Sequence, residues 1–185
     1  TGNLGYSNEL WEYDPTTDTW TQKASLPGPG RSSTGFIING KAYIGPGNLS
    51  GSSATSELWQ YDPATDIWTQ KSSFPESDRL YPIGFSINGK GYVGAGLNSS
   101  NSANGFYEYD PNLDTWTQKA DFINNRRFGA VAFSIGEKGY IGVGSDESFS
   151  LLNTFYQYDP STDTWKQIDD LPAGGRFLST SFTIG

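Results

Sequence analysis

Four arginines and eight aspartates are the residues of this chain best placed, by type and spacing, to do chemistry. Arg31, Arg79, Arg127 and Arg176 recur at intervals of 48, 48 and 49 residues. A ring of guanidiniums at one end of a repeat could grip carboxylates with paired N–H donors. Tyr81, Phe128 and Phe177 stand one or two residues after three of these arginines. Rings at those places could stack on a sugar or on a peptide side chain, or serve as core. The aspartates come in pairs four apart: Asp14 and Asp18, Asp62 and Asp66, Asp110 and Asp114, Asp159 and Asp163. Two carboxylates at that spacing could begin a calcium site, but no glycine-containing ligand loop lies between them. Each pair frames Asp-Pro-x-x-Asp. There the first aspartate can bond its own backbone two residues on, and proline presets the next turn angle. The pairs therefore read as structural turns, and no metal or other cofactor is expected. The arginines keep two readings. They can form a ligand-binding ring, or each can bridge neighbouring repeats or backbone carbonyls, which recurrence in every repeat favours.

Composition removes several classes of chemistry. The 185 residues include no His, Cys or Met. Without His there are no imidazole metal ligands, no Ser-His triads and no histidine pH switch. Without Cys there is no disulfide framework. The lack of Met implies that the natural start lies outside this chain, which reads as a mature or excised segment. The net charge of −8 offers no basic footprint, so no nucleic-acid partner is expected. No apolar run is long enough to cross a bilayer.

The elements that must position these residues follow from a repeat. The stretch Glu9–Lys23 returns as 57–71, 105–119 and 154–166, with its second tryptophan at Trp20, Trp68, Trp116 and Trp165. A fixed period near 48 residues marks a stacked or radial array. Strand A is read over 31–39, 79–88, 127–136 and 176–185, each opening on an arginine. It ends in Asn39-Gly40, Asn88-Gly89 or Gly136-Glu137. Asn-Gly between apolar runs predicts a two-residue hairpin with positive φ at both positions. Strand B is read over 41–47, 90–96 and 138–144. Its paired glycines predict close approach of another backbone or ring. A polar B–C loop of variable length follows. Strand C carries rings at alternate positions, as in Trp59 and Tyr61. Strand D runs through the second tryptophan. No segment reads as a helix.

Four short antiparallel strands per module describe a propeller blade. The pattern Arg…Ile-Asn-Gly-Lys-x-Tyr-Ile-Gly-x-Gly…Tyr-Asp-Pro-x-x-Asp-x-Trp resembles the kelch repeat over the whole chain. One departure is that the glycines ending strand B are split, as in Gly45-Pro46-Gly47, where kelch repeats usually have adjacent ones. The resemblance implies an all-β protein, a β-propeller of four-stranded antiparallel kelch blades. The expected division is a partial blade over 1–30, blades over 31–78, 79–126 and 127–175, and a lone strand A over 176–185. This predicts a window of a larger ring of six or seven blades, whose remaining chain would be a partner that completes it. The B–C and D–A loops would lie on one face with the arginines, and the A–B and C–D turns with the aspartates on the other.

In similar kelch propellers the B–C and D–A loops form the binding face. The candidates there are Arg31, Arg79, Tyr81, Arg127, Phe128, Arg176 and Phe177, with Asn48, Asn98 and Asp146 from the loops. The favoured function is a non-catalytic module binding a protein or glycan partner through that face. Two rivals are a carbohydrate-active propeller enzyme, such as a sialate mutarotase or epimerase using Arg and Glu, and a structural spacer of a surface protein. Galactose oxidase has a similar fold, but its copper site requires histidines. Glu76 and Glu147 are the acids worth naming on the loop face, and no pair recurs at a defined spacing, so no catalytic residue is assigned. The Ser, Asn and Gly content, the acidity and the self-similar repeats, as in similar bacterial surface arrays, lead us to expect a secreted or cell-surface protein.

Overall fold

The computed structural model describes residues 7–29, 31–49, 53–77, 79–98, 104–123 and 127–181, with the Arg31 side chain excepted. It is an all-β, partial β-propeller. β1 (Leu10–Asp14) and β2 (Thr19–Lys23) form a hairpin. The first full blade is β3 (Arg31–Ile38), β4 (Lys41–Leu49), β6 (Leu58–Asp62) and β7 (Ile67–Lys71), with the short β5 (Ala54–Thr55) added to β4. The second is β8 (Ile83–Ile87), β9 (Lys90–Gly94), β10 (Phe106–Asp110) and β11 (Thr115–Lys119). The third is β12 (Val131–Ile135), β13 (Lys138–Gly142), β14 (Phe155–Asp159) and β15 (Thr164–Ile168). Every pairing is antiparallel. The first strands β3, β8 and β12 pack side by side.

β3 begins at Arg31 as the sequence pattern predicts, and the next two strands A begin later. β8 and β12 start four residues after their arginines, because Arg79–Pro82 and Arg127–Ala130 fold across the end of strand B through the bridges Leu80–Leu97 and Phe128–Ser145. Residues 176–181, read as the start of a further strand A, form no strand. The rest of that segment, 182–185, and Thr1 to Asn3 lie outside the described residues.

The predicted hairpins form. Asn39 and Gly40 have φ of 50° and 75°, and Asn88 and Gly89 have 49° and 74°. Gly136 is also left-handed (φ 56°), whereas Glu137 is not, so the third turn is built differently. In the C–D turns each first aspartate accepts the N–H two residues on, at 2.8 Å for Thr16, 3.0 Å for Ala64, 2.9 Å for Asn112 and 3.0 Å for Ser161.

Burial lies between blades, where the face of one sheet packs on the face of the next. Phe36, Tyr43 and Leu58 of the first full blade share a core with Val93 and Tyr109 of the second. Phe85, Tyr92 and Phe106 of the second share one with Tyr158 and Trp165 of the third. A ring sits where glycine leaves room: a Cβ at Gly91 would lie 2.3 Å from the Phe36 ring, and one at Gly139 equally close to Phe85.

A three-part clasp locks each junction. The second aspartate of the C–D turn is left-handed and accepts its own blade's Tyr hydroxyl. These bonds are Tyr61–Asp66 at 2.7 Å, Tyr109–Asp114 at 2.7 Å and Tyr158–Asp163 at 2.6 Å. The same carboxylate oxygen accepts a backbone N–H from the preceding blade, of Ala24, Ser72 or Ala120, at 2.9 to 3.0 Å. The carbonyl of that same residue accepts the indole N–H of Trp68, Trp116 or Trp165, at 2.7, 2.9 and 3.0 Å. One peptide segment is thus held from both sides.

Candidate functional site

The arginines divide. Arg79 and Arg127 are 0% and 1% exposed. The Arg79 Nη1 donates to the Ala95 carbonyl at 2.8 Å, and its Nη2 pairs with the Glu76 carboxylate. The Arg127 Nη1 donates to the Val143 and Thr154 carbonyls at 2.8 and 2.9 Å, and its Nη2 to the Thr154 hydroxyl. Its guanidinium lies over Phe122 and Tyr156, 5.8 and 5.3 Å from the ring centres. Burial among them lowers the pKa of Arg127. The carbonyl acceptors explain the recurrence. Ala95 and Val143 are left-handed (φ 50° and 51°), a costly state for Val, and the guanidinium ties that kink down. The backbone of the same residues joins blades: the carbonyls of Arg127 and Arg176 accept Gly96 and Gly144 N–H at 2.7 and 2.6 Å. A ring of solvent-facing guanidiniums is therefore not formed at Arg79 and Arg127, whose donors are turned inward. Arg176 is exposed, and the Arg31 side chain lies outside the described residues.

The rings beside the arginines do come together. Phe128, 4% exposed, is the centre of an aromatic cluster. Phe149 and Phe177 meet it edge-on, with centroids at 5.5 and 5.3 Å, and Tyr81 lies tilted at 6.2 Å. These outer rings stay in solvent: Phe149 is 75% exposed, Phe177 39% and Tyr81 37%, with Leu178 and Leu151 exposed beside them. Exposed apolar groups gathered in one patch mark interaction sites more often than scattered ones do.

The loops hold this patch by identifiable bonds. Asn48, itself buried, accepts the Tyr81 N–H at 2.8 Å and joins the first full blade to the second. Asp146 accepts Ser148 and Ser150 N–H, each at 2.9 Å, and so bends the loop that carries Phe149. Tyr81, Phe149 and Leu178 are left-handed (φ 50°, 60° and 54°). Non-glycine residues in that region cost of order 1–3 kcal/mol, and such strain concentrates at binding sites. Gly129 is needed because a Cβ there would lie 2.1 Å from the Phe177 ring. Beside the patch, a groove of about 320 Å³ runs along the first strands, with Thr34, Ser179, Thr180 and Ser181 among the residues that line it.

Of the sequence candidates, Tyr81, Phe128 and Phe177 thus share one cluster, with Asn48 and Asp146 as its supports. Asn98 is partly buried in its own loop. Phe149, Leu151 and Leu178 were missed. Phe149 and Leu151 were legible as large apolar residues in an otherwise polar loop. Glu76 is engaged by Arg79 and does not face the patch as a free acid.

The opposite face is less acidic than its eight aspartates suggest. Lys41, Lys90 and Lys138, which open strand B, pair with Asp62, Asp110 and Asp159, at 2.7 Å for the first and 2.5 Å for the last. The Lys138 ammonium, with the Ser161 hydroxyl, brings the Asp159 carboxyl down to about 2. Asp66 is held below the usual carboxylate range by the Ala24 N–H and the Tyr61 hydroxyl.

No family model matches the chain. No curated protein matches it either. Among solved structures, that of YjhT superposes with a TM-score of 0.74 at 18% identity, over 93% of this chain and 68% of that one. At that identity the likeness supports the propeller fold alone.

Proposed function

We propose that this chain is a non-catalytic kelch-type propeller module, and that it binds a protein or glycan partner through its B–C and D–A loop face. The observation that carries this reading is the exposed ring cluster on Phe128, held by left-handed backbone and by bonds from Asn48 and Asp146. Aromatic residues supply large contact area at low entropic cost and dominate binding hot spots. The kelch assignment is supported by the recurring Arg, Gly-x-Gly and Asp-Pro-x-x-Asp-x-Trp positions, each with a physical role in the blade or its junction. The self-similar, Ser/Asn/Gly-rich repeats favour an extracellular or cell-surface setting, which fractionation of the native protein tests.

The test is a pair of arrays, one of glycans and one of peptides, probed with the chain and with a Tyr81→Asn/Phe149→Asn variant. Asparagine tolerates the left-handed backbone, so the rings are removed with little added strain. Ligands of the unaltered chain should lose more than about tenfold in affinity, equivalent to 1.4 kcal/mol, at unchanged melting temperature. Ligands bound equally by both proteins would place recognition elsewhere.

A further inference from the structure

The junction between the β1–β2 hairpin and the first full blade lacks a ring that the two later junctions have. Leu26, Phe74 and Phe122 hold one structural position. Each donates its N–H to the carbonyl two residues before strand C, that of Asn8, Ser56 or Asn104, at 2.8, 2.8 and 3.0 Å. Leu10, Leu58 and Phe106 share another position, the first of strand C. Between the first and second full blades, Phe74 meets the Trp116 indole edge-on at 5.2 Å. Between the second and third, Phe122 and Phe106 both meet Trp165, at 5.0 and 4.9 Å. At the hairpin junction both positions are leucine. Among the described residues, Trp68 has only Tyr61 of its own blade as a ring neighbour. Trp68 is half-buried, against 9% exposure for Trp165 and 65% for Trp20 on the hairpin itself.

A pocket of about 190 Å³ lies where the ring is missing, lined by Leu10, Leu26, Ile44 and Trp68. An apolar cavity of about 150 Å³ is enough for benzene, so one aromatic ring fits. Ser33 also lines the pocket, and its hydroxyl is buried with no hydrogen-bond partner. A buried hydroxyl left unpaired is costly, and a bound hydrogen-bonding group would remove that cost. Among the described residues, Glu9 is the one charged side chain of the lining, and it is exposed. An apolar pocket with one or two polar groups is the usual form of a small-molecule site. This one shares no residue with the ring cluster on Phe128.

We propose that this pocket is a second binding site, for an uncharged one-ring aromatic alcohol of the phenol class. The ligand ring takes the place that Phe74 and Phe122 fill in the later junctions, against the Trp68 indole. Its hydroxyl pairs with that of Ser33. Glu9, with no cation beside it in the lining, disfavours an aromatic carboxylate, because like charges repel most where water is partly excluded. A ligand held between hairpin and blade binds the folded chain alone, so it stabilises the fold.

The experiment titrates phenol and benzoate into the full chain and into Leu26→Phe, which copies the later junctions. Binding is followed by the magnetic resonance of the Trp68 indole N–H and by melting temperature. In the unaltered chain phenol should shift that resonance saturably and raise the melting temperature. Benzoate should bind more than about tenfold more weakly than phenol. Leu26→Phe should melt no lower than the unaltered chain, because it fills a void, and should lose more than about tenfold in phenol affinity. Ser33→Ala should weaken phenol by about three- to tenfold, as for one hydrogen bond. No saturable shift in the unaltered chain would overturn the proposal, even with a more stable Leu26→Phe, since the void would then be a packing gap. Equal phenol affinity in Leu26→Phe, unchanged affinity in Ser33→Ala, or benzoate bound as tightly as phenol would each overturn it too. Should Leu26→Phe not fold, Leu10→Phe, after Phe106, carries the same comparison.

Discussion

On the turn face the first aspartates accept backbone N–H groups, those of the full blades also pair with lysine, and the second aspartates of those blades sit in clasps. On the loop face Phe149, Leu151 and Leu178 stand in solvent on strained or polar-bonded loops. The turn face repeats almost residue for residue, because a junction between identical blades needs identical partners. The loop face differs from blade to blade at its loop tips, since its own inter-blade bonds run through Asn48 and the backbone of the arginine segments. Recognition on a rigid scaffold belongs to the second kind of surface.

The largest effect that sharpens this contrast comes from the clasp. Trp165→Ala should cost about 3–5 kcal/mol in denaturant unfolding, as for a buried large aromatic. Trp20→Ala, at the open edge, should change stability by no more than about 0.5 kcal/mol. Equal costs would mean that burial between blades is not what the tryptophans provide.

Next is Arg127→Ala, which leaves the Val143 carbonyl without its donor in a buried site and takes one of two donors, the other being the Val143 N–H, from the Thr154 carbonyl. A loss of about 2–3 kcal/mol is expected, since each unmet buried group costs roughly 1–3 kcal/mol. If thermal melts were unchanged and only binding fell, Arg127 would be a contact residue after all.

A smaller effect is set by pH. Asp66, Asp114 and Asp163 all have lowered pKa values. For Asp114 and Asp163 burial opposes ionisation, and the Tyr109 or Tyr158 hydroxyl and a neighbouring backbone N–H outweigh it. A carboxyl lowered in the folded state stabilises above its unfolded value of about 3.9 and loses that contribution as pH falls through the folded one. Melting temperature should therefore drop below about pH 4, and less steeply in Asp114→Asn/Asp163→Asn. At the alkaline end Tyr61, pushed up to about 12 by burial and by Asp66, should lose its contribution as pH rises from about 10. An acid limb unaffected by the double variant would remove the clasp from the account.

The smallest stability effect belongs to the loop face, where Phe149→Asn should shift unfolding by no more than about 0.5 kcal/mol, read in the same denaturant titration.

The propeller segment was legible in the sequence because period, Asn-Gly turns and Asp-Pro-x-x-Asp turns are local signals: Asn39 and Asn88 took the left-handed backbone and Asp62 the backbone bond that they imply. The site was only half legible. Spacing brings Arg79 and Arg127 to the loop end but does not say which way a guanidinium turns, and the carbonyls of left-handed Ala95 and Val143 turn it inward. The lysines of strand B were overlooked because their aspartate partners lie about 20 residues away, as with Lys90 and Asp110, across two strands. Phe149 went unnoticed because its loop was read for its polar residues, and only the Asp146 bonds lift that ring onto Phe128.

The most direct test is to compare ligand affinity and melting temperature in two variants of the chain, Tyr81→Asn/Phe149→Asn and Asp114→Ala/Asp163→Ala. The first should lose more than about tenfold in affinity at constant melting temperature. The second should melt earlier, and below its transition it should bind as the unaltered chain does. Binding lost in the aspartate variant while still folded, and kept in the ring variant, would contradict the assignment of the loop face.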